Sequence, residues 1–564
     1  GDVYKRLAYY PGTEAPADYV SQISCQHIDG DIFARPVVSM NRIFSAQGYR
    51  FYQSSYDEDL EGSWLSVNYD PWGTGITYTG FCLMGLGCLL LLCARDGGFR
   101  RLLRHPLIRK GGLFLIALFG GCQLKADPAL PVVKRVQADS LAIQQVVYND
   151  RVAPFNTLAR DFVQKIYGRP SFHGITPEQV VSSWMLYPEE WNRTPIIRIK
   201  NQELRTALGL KEEYASLNHL FDGTQYKLQP LWQREQGNRS KLAQAIQETD
   251  EKVGLILMLR QGTLVRPLPP DVTPLSTQKV NAELWYNRIP FSKILFMVNL
   301  TLGFAAFGLF MFRMLTNRKE KAVSRRVWGT ALCLTTLFHT TGYALRGYIR
   351  GGFPLSNGYE TMQFVALAVL LTACLLQRRF PFTRPFGFLL SGFTLLVAYL
   401  GEMNPQITPL MPVLASPWLS WHVSLIMISY GLFAFTFLNG ILALCLIGKQ
   451  KNTASPITGE QIEQLTLLSR LLLYPGTFLL GTGIVLGAVW ANVSWGSYWS
   501  WDPKEVWALA AFIIYGISFH RKSLPYFQRP WLFHGYMIFA FAVVLMTYFG
   551  VNYLLGGMHS YANS

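Results

Sequence analysis

Two histidines flank a loop crowded with indoles. His422 sits in PWLSWHVSL and His559 in GGMHSYANS, and between them the stretch VWANVSWGSYWSWDPKEVW carries Trp490, Trp495, Trp499, Trp501 and Trp507, five of the fifteen tryptophans in the chain. Two imidazoles and several flat apolar rings suit heme. Iron takes axial nitrogen ligands on its two faces, and the macrocycle is a large apolar disc that aromatic side chains cover and shield from water. A single tryptophan at a membrane boundary is better explained as an interfacial anchor. Five within eighteen residues, interleaved with Gly496, Ser497 and Ser500, exceed a belt. Asp502, Pro503 and Glu505 also have a structural explanation, because Asp at N-cap, Pro at the first helical position and Glu two residues later make a capping box.

The elements that must position these groups are membrane spans. Ten apolar runs are long enough to propose at ~20 residues per crossing. They fall near 76–94, 110–124, 289–314, 327–346, 361–377, 385–402, 418–448, 470–493, 504–520 and 532–555. Basic residues collect in alternate loops: six in RDGGFRRLLRHPLIRK, six in RMLTNRKEKAVSRR, three in QRRFPFTR and three in HRKSLPYFQR, against none in 403–417, 491–503 and 556–564. By the positive-inside rule the basic loops are cytoplasmic, so the two histidines and the tryptophan loop face the periplasm. The expected fold is a polytopic α-helical membrane protein of about ten spans with periplasmic domains. Residues 1–75 form a β-rich periplasmic segment, and 76–124 form two spans joined by a basic cytoplasmic loop. Residues 125–288 form a mixed, largely helical soluble domain, as in SKLAQAIQETDEKVGLILMLRQ, and 289–564 form an eight-span bundle whose outer loop is 490–507. The stretch RKGGLFLIALFGGCQLKA mimics a lipoprotein signal ending at Cys122, but an internal span explains it better.

Composition agrees with that architecture. The chain has 564 residues, is half apolar and carries 15% charged residues, which is too apolar for an ordinary soluble enzyme. The net charge of +16 resides in the alternate loops, so a nucleic-acid binder is excluded. None of the eight cysteines forms a C-x-x-C pair, which argues against a thioredoxin-type motif, a zinc site and a disulfide framework. Without a C-x-x-C-H the chain is not itself a c-type cytochrome. Position 1 is Gly, with no secretory signal ahead of a polar stretch, so upstream sequence is expected. Among the other histidines, His339 lies mid-membrane, where heme ligation competes with a cheaper hydrogen bond to a neighbouring helix. His534 is expected at the inner interface beside His520, and His27, His105, His173 and His219 at the surface. Arg346 and Arg350 suit either heme propionates or interfacial anchoring.

At these residues the sequence resembles a known family. WGSYWSWDPKEVWAL is similar to the tryptophan-rich "WWD" signature of the heme-handling proteins of cytochrome c maturation. WLSWHVSLIMISYG and GVNYLLGGMHSY resemble the two flanking histidine motifs of its CcsA branch, and HTTGYALRGYIRGGFPLSNGYET a further stretch of it. GYRFYQSSYDEDLEGSWLSVNYDPWG resembles the periplasmic end of ResB, the usual partner subunit. The whole resembles the fused CcsBA, or system II, cytochrome c synthases, well over about 1–95 and 289–564 and loosely over 125–288. The resemblance implies a multi-pass protein of the bacterial inner membrane, a holocytochrome-c synthase of heme lyase type that takes heme b (iron protoporphyrin IX). It implies His422 and His559 as outer axial ligands, acting with Trp495, Trp499, Trp501 and Asp502, while Trp490 and Trp507 complete the heme contacts. His520, in YGISFHRK, matches the family's intramembrane heme histidine, whose partner lies in an early ResB span with no counterpart in this sequence. The implied partners are apocytochrome c bearing C-x-x-C-H, heme, membrane lipid and a separate periplasmic thiol reductant. Two other readings stay open: a heme exporter or chaperone without ligase activity, and a membrane cytochrome b, although that class pairs its histidines inside the membrane.

Overall fold

The computed structural model describes residues 3–10, 13, 16–26, 32–56, 63–94, 97–103, 130–223, 225–237, 240–316, 318, 320–401, 403–409, 416–452 and 456–555. The chain divides into two compact units. One comprises Gly1–Ala8, Pro16–Ala117 and Phe291–Ser564, and the other Tyr9–Ala15 and Leu118–Pro290.

The first unit begins with strands, as the alternating, Gly- and Asn-flanked N-terminal sequence predicts. They are β1 (Val3–Tyr9), β2 (Pro16–Ile23), β3 (Cys25–Gln26), β4 (Ile32–Ala34), β5 (Val37–Ser39), β6 (Phe44–Ala46), β7 (Tyr49–Tyr56) and β8 (Ser63–Tyr69). They pair as the sheets β1-β2-β5, β3-β4 and β6-β7-β8. The β6–β7 hairpin turns on Gln47 and Gly48, both at positive φ, in the two-residue turn that matches strand twist. Antiparallel register sets Arg50 opposite Asn68 and Tyr52 opposite Ser66. Side chains two apart on a strand share a face, so Arg50 and Tyr52 project together. The chain then enters α1 (Pro71–Cys93), capped by Asp70, whose carboxylate accepts from the Gly73 amide at 2.8 Å, and continues into α2 (Gly98–Leu103).

The second unit is a mixed α/β domain with its own core. Its helices are α3 (Arg135–Ala142), α4 (Phe155–Tyr167), α5 (Pro177–Leu186), α6 (Pro188–Arg193), α7 (Gln202–Ala207), α8 (Leu228–Glu235), α9 (Lys241–Arg260) and α10 (Thr277–Arg288). Strands β9 (Gln145–Tyr148) and β10 (Arg151–Pro154) build a sheet with β15 (Arg266–Pro267), and β11–β12 (Ile197–Arg198, Tyr214–Ala215) and β13–β14 (Phe221–Asp222, Gln225–Tyr226) are short pairs. The helix expected in SKLAQAIQETDEKVGLILMLRQ is α9, started by the Ser240 hydroxyl on the Ala243 amide. Leu158, Phe162, Trp184, Trp191, Ile246, Val253 and Ile256 are buried together, and Trp184 and Trp191 stack at 5.8 Å.

The first unit resumes with the helices α11 (Phe291–Leu315), α12 (Ala322–Arg350), α13 (Gly358–Leu376), α14 (Thr383–Leu400), α15 (Pro417–Asn452), α16 (Pro456–Trp495), α17 (Pro503–Ile517) and α18 (Pro530–Leu545), the last running on as a π-helix over Met546–Leu555. Among the described residues seven helices are long and apolar enough to cross a membrane, fewer than the ten runs in the sequence. The run at 327–346 is helical, but α12 spends its length on Thr335, Thr336, His339, Thr340, Thr341 and Arg346, which dilute its hydropathy. The run at 504–520 is α17, only 15 residues long. The run at 110–124, with Cys122, lies outside the described residues.

Polar groups within this bundle mostly saturate one another. Arg346, 1% exposed, donates through Nε to Glu360 at 2.7 Å and through its Nη atoms to the carbonyls of Pro405 and Gln406 at 2.7 and 3.0 Å. Arg350 and both donors of Ser356 hold the other oxygen of Glu360, each at 2.7 Å. A guanidinium so occupied is a clamp on the 403–409 segment, which favours a structural role for Arg346 over propionate binding.

Candidate functional site

His422 stands one and a half turns into α15 and packs its ring against α16. Its Nδ1 lies 2.6 Å from the carbonyl oxygen of Gly483. A carbonyl only accepts, so Nδ1 carries a proton, and in the neutral tautomer the ring's lone pair is the one on Nε2. That arrangement prepares an imidazole for a metal, with one nitrogen oriented by a backbone carbonyl and the other basic. Glycine permits the approach: a Cβ on Gly487 would fall 2.6 Å from Cε1 and Nδ1 of His422. Gly487 is about 12 Å along the helix axis from Trp495, where α16 ends, so imidazole and indoles share one end of the bundle.

The loop leaving that end is built from tryptophans and fixed by short-range bonds. Trp490, 2% exposed, meets Trp495 edge-on at 4.7 Å. Gly496 turns the chain at φ 76°, and a Cβ there would meet the Tyr52 ring at 2.8 Å. Ser497 Oγ donates to the Trp499 carbonyl at 3.0 Å. Trp499 and Trp501 stand perpendicular at 6.1 Å, and Trp501 projects 75% exposed from a left-handed backbone at φ 58°. That conformation costs a bulky residue roughly 1–2 kcal/mol, strain of a kind that concentrates at ligand sites. Asp502 and Glu505 form the capping box of α17: Asp502 accepts from the Lys504 amide at 2.9 Å, and Glu505 accepts from the amides of Asp502 and Ser500 at 3.2 and 2.8 Å. Asp502 is therefore engaged as a cap, 5% exposed. Trp507, one turn into α17, offers its carbonyl to Thr547 Oγ1 of the π-helix at 3.3 Å, which joins the last described helix to this end.

The N-terminal sheet closes over the same loop, a contact the sequence reading missed. Arg50 Nη1 donates to Asn492 Oδ1 at 3.2 Å, Asn492 Nδ2 to the Tyr78 hydroxyl at 3.0 Å, and Asn68 Nδ2 to the Gly496 carbonyl at 2.8 Å. Tyr498 meets Tyr78 edge-on at 6.0 Å, and the Arg50 guanidinium lies 5.8 Å from the Tyr52 ring centre. Burial raises the Tyr52 phenol above its ordinary range, against the pull of Arg50. The Tyr52 and Tyr498 hydroxyls, Arg50 Nη2 and Trp490 Nε1 are buried donors that meet no acceptor among the described residues. Each such group costs about 1–3 kcal/mol. The signal was present as period-two spacing in GYRFY and WLSVNY, which puts Arg50 and Tyr52 on one face with Asn68 across from Arg50.

The remaining histidines separate from this end. His520 is exposed just past the far end of α17, so it is not brought to His422. His559 lies outside the described residues, as do His27 and His105. His339 is buried and shares a 3.0 Å hydrogen bond with Gln363, which donates to Ser292 at 2.7 Å, in keeping with the helix-to-helix alternative. His534 is fully buried against Thr466 at 2.9 Å rather than interfacial, because α18 turns it into the bundle. His173 is exposed, and His219 is half-buried on the Leu208 carbonyl.

Comparison with known proteins decides the family. The family model described as Cytochrome C assembly protein matches residues 355–559, the segment that spans α13 to α18 and the tryptophan loop. Protein NrfI of Wolinella succinogenes is 32% identical over 643 aligned positions, which cover 99% of this chain and 70% of the relative. The chain belongs to the cytochrome c assembly family. Cytochrome c biogenesis protein CcsA of Synechococcus sp. (strain WH7803) is 33% identical over 312 residues, 46% of this chain and 94% of that relative. The CcsA of Prochlorococcus marinus (strain NATL2A) is 33% identical over 266 residues, 41% of this chain and 83% of its own length. The similarity to NrfI thus extends along the whole chain, and that to the CcsA proteins along under half of it. The protein is a multi-pass membrane member of a cytochrome c biogenesis family whose members handle heme.

Proposed function

We propose that this chain is a cytochrome c synthase that holds heme b at the tryptophan-loop end of its bundle and promotes its attachment to apocytochrome c. The observation that carries the reading is the 2.6 Å contact of His422 Nδ1 with the Gly483 carbonyl, which fixes this imidazole at the same end of the bundle as the tryptophan loop. His559 supplies the second axial nitrogen. Trp495, Trp499 and Trp501 cover the disc, with Trp490 and Trp507 behind them, and Asp502 fixes the loop through its cap. The basic loops face the cytoplasm of a bacterium, so the site opens to the periplasm from the inner membrane. His520, at the other end of α17, serves an inner heme on a path across the bilayer, and 125–288 is a periplasmic domain.

The chain's contribution is positioning. Each thiol of C-x-x-C-H adds its sulfur to one vinyl carbon and a proton to the other, forming a thioether with no net oxidation. Thiols must therefore arrive reduced, and a separate periplasmic reductant does this, because the chain has no C-x-x-C. The test is co-expression with an apocytochrome in a host that lacks its own maturation system. Covalent heme on the cytochrome is expected, abolished by His422→Ala or His559→Ala and restored by added imidazole. Bound heme without any thioether product would leave an exporter and end the synthase reading.

A further inference from the structure

The contact between the N-terminal sheet and the tryptophan loop gathers donors without acceptors. On β7 the guanidinium of Arg50 uses Nη1 on Asn492, while Nη2 is buried with no acceptor among the described residues. The Tyr52 hydroxyl, on a side chain 1% exposed, and the Tyr498 hydroxyl are in the same condition. Gly496 seats the Tyr52 ring within 2.8 Å of where a Cβ would be, so the sheet bears directly on the loop two residues before Tyr498. Among the described residues the titratable groups that act on Tyr52 are Arg50, Tyr498 and Tyr78, with no carboxylate among them. One fixed positive charge with a spare Nη2 and two phenolic O–H groups, none with an acceptor among the described residues, are complementary to a carboxylate, whose two oxygens accept from a guanidinium N–H and from hydroxyls at once.

We propose that Arg50, Tyr52 and Tyr498 form a carboxylate subsite that takes a propionate of the porphyrin. The inference rests on the heme reading above and extends it to the orientation of the disc. Protoporphyrin IX carries its two propionates on one edge and its vinyls away from that edge. Anchoring the acid edge against the sheet turns the vinyls outward from the sheet, where thiols can reach them. Arg50 thereby sets which edge of an almost symmetrical ring is presented. It is a positioning residue that leaves the reacting carbons untouched.

The experiment compares iron protoporphyrin IX with its dimethyl ester, which has no carboxylates, by Soret titration of the full chain in nanodiscs. The wild type is expected to prefer the free acid, and Arg50→Gln to lose about 10- to 100-fold of that preference with ester affinity unchanged. Arg50→Lys should recover part of it, and the isosteric Tyr498→Phe should lose about 2- to 5-fold. Equal weakening of both porphyrins by Arg50→Gln, or no change in the ratio, would overturn the proposal. Should Arg50→Gln fail to fold, an unchanged ratio in Tyr498→Phe and Tyr52→Phe overturns it equally. The titration is run in zwitterionic and in anionic lipid: an Arg50 effect confined to anionic lipid assigns these donors to a headgroup and rejects the porphyrin. A wild type that binds neither compound removes the heme reading itself, and the subsite with it. That outcome differs from a wild type that binds both alike, which rejects the subsite alone.

Discussion

The 130–290 domain and the sheet–loop junction treat buried polar groups in opposite ways. In the domain, Glu283 accepts from Arg151 at 3.0 and 2.6 Å and from Thr157 at 2.6 Å, while Asn287 donates to Asn156 and Thr157 at 2.9 Å and Asn156 meets Glu178. Lys252, 3% exposed, donates to the Arg198 carbonyl at 2.7 Å and pairs with Glu248 at 2.8 Å. Among the described residues of 130–290 no buried side-chain donor or acceptor lacks a partner. At the junction, Arg50, Tyr52, Tyr498 and Trp490 each leave one buried donor unmet. Unmet donors cost stability, and single ones are scattered through the helical bundle, but the junction gathers four at one place. The domain's polar interior is finished by its own chain, whereas the junction leaves open the place that the proposed carboxylate would fill.

The comparison breaks most visibly at Glu283. Glu283→Ala removes the carboxylate to which Arg151 and Thr157 donate and should cost about 3–5 kcal/mol, seen as faster hydrogen exchange across α4 and α10 of the full-length protein, with porphyrin binding unchanged. An equal loss of porphyrin binding would show that the two regions are not separable in this way. Gly487→Ala acts on the site instead. The new methyl meets the His422 ring 2.6 Å away and should cost about 1–3 kcal/mol while pushing the imidazole off the Gly483 carbonyl. The readout is a weakened or shifted Soret band in a protein whose helical content is intact. An unaltered spectrum would mean that this imidazole does not face the iron.

The smallest effect follows pH in the domain. Burial pushes the Glu248 carboxyl up, but the ammonium of Lys252, with Lys200 and Lys165 farther off, outweighs it and holds the group below its ordinary 4.5. A depressed carboxyl stabilises the fold above its unfolded value and stops doing so as pH falls through the folded one. The opening free energy of α9 should therefore decline modestly below about pH 4.5, and Glu248→Gln should flatten that decline. Glu248 is 42% exposed, so screening keeps the slope shallow. An identical slope in the variant would remove the pair from any part in it.

Much of this was legible in the residues. Long apolar runs gave the crossing helices, Asp502 with Pro503 and Glu505 gave a helix start, and the WSWDPKEVW stretch gave the family. What the sequence hid was of two kinds. Apolarity alone overcounts spans, because a helix such as α12 can bury its threonines, His339 and Arg346 against neighbours rather than lipid. The same blindness put His534 at an interface, when the rotation of α18 carries it inward. The second kind is distance along the chain. Arg50 and Asn492 are 442 positions apart, and only the folded register of β7 against α16 makes them one network.

Two helices of the bundle are much longer than a membrane is thick. α15 has 36 residues and α16 has 40, about 54 and about 60 Å of rod, against a hydrocarbon layer of ~30 Å. Pro475, the proline carried inside α16, lies before Gly483, so the stretch from the His422 contact to Trp495 is a run of helix with no proline in it. The gap between imidazole and indoles is consequently measured out by peptide units, at a fixed rise for each, and lipid has no part in it. A bilayer that thickens or thins will ride up or down these rods and leave the spacing of these side chains as it was.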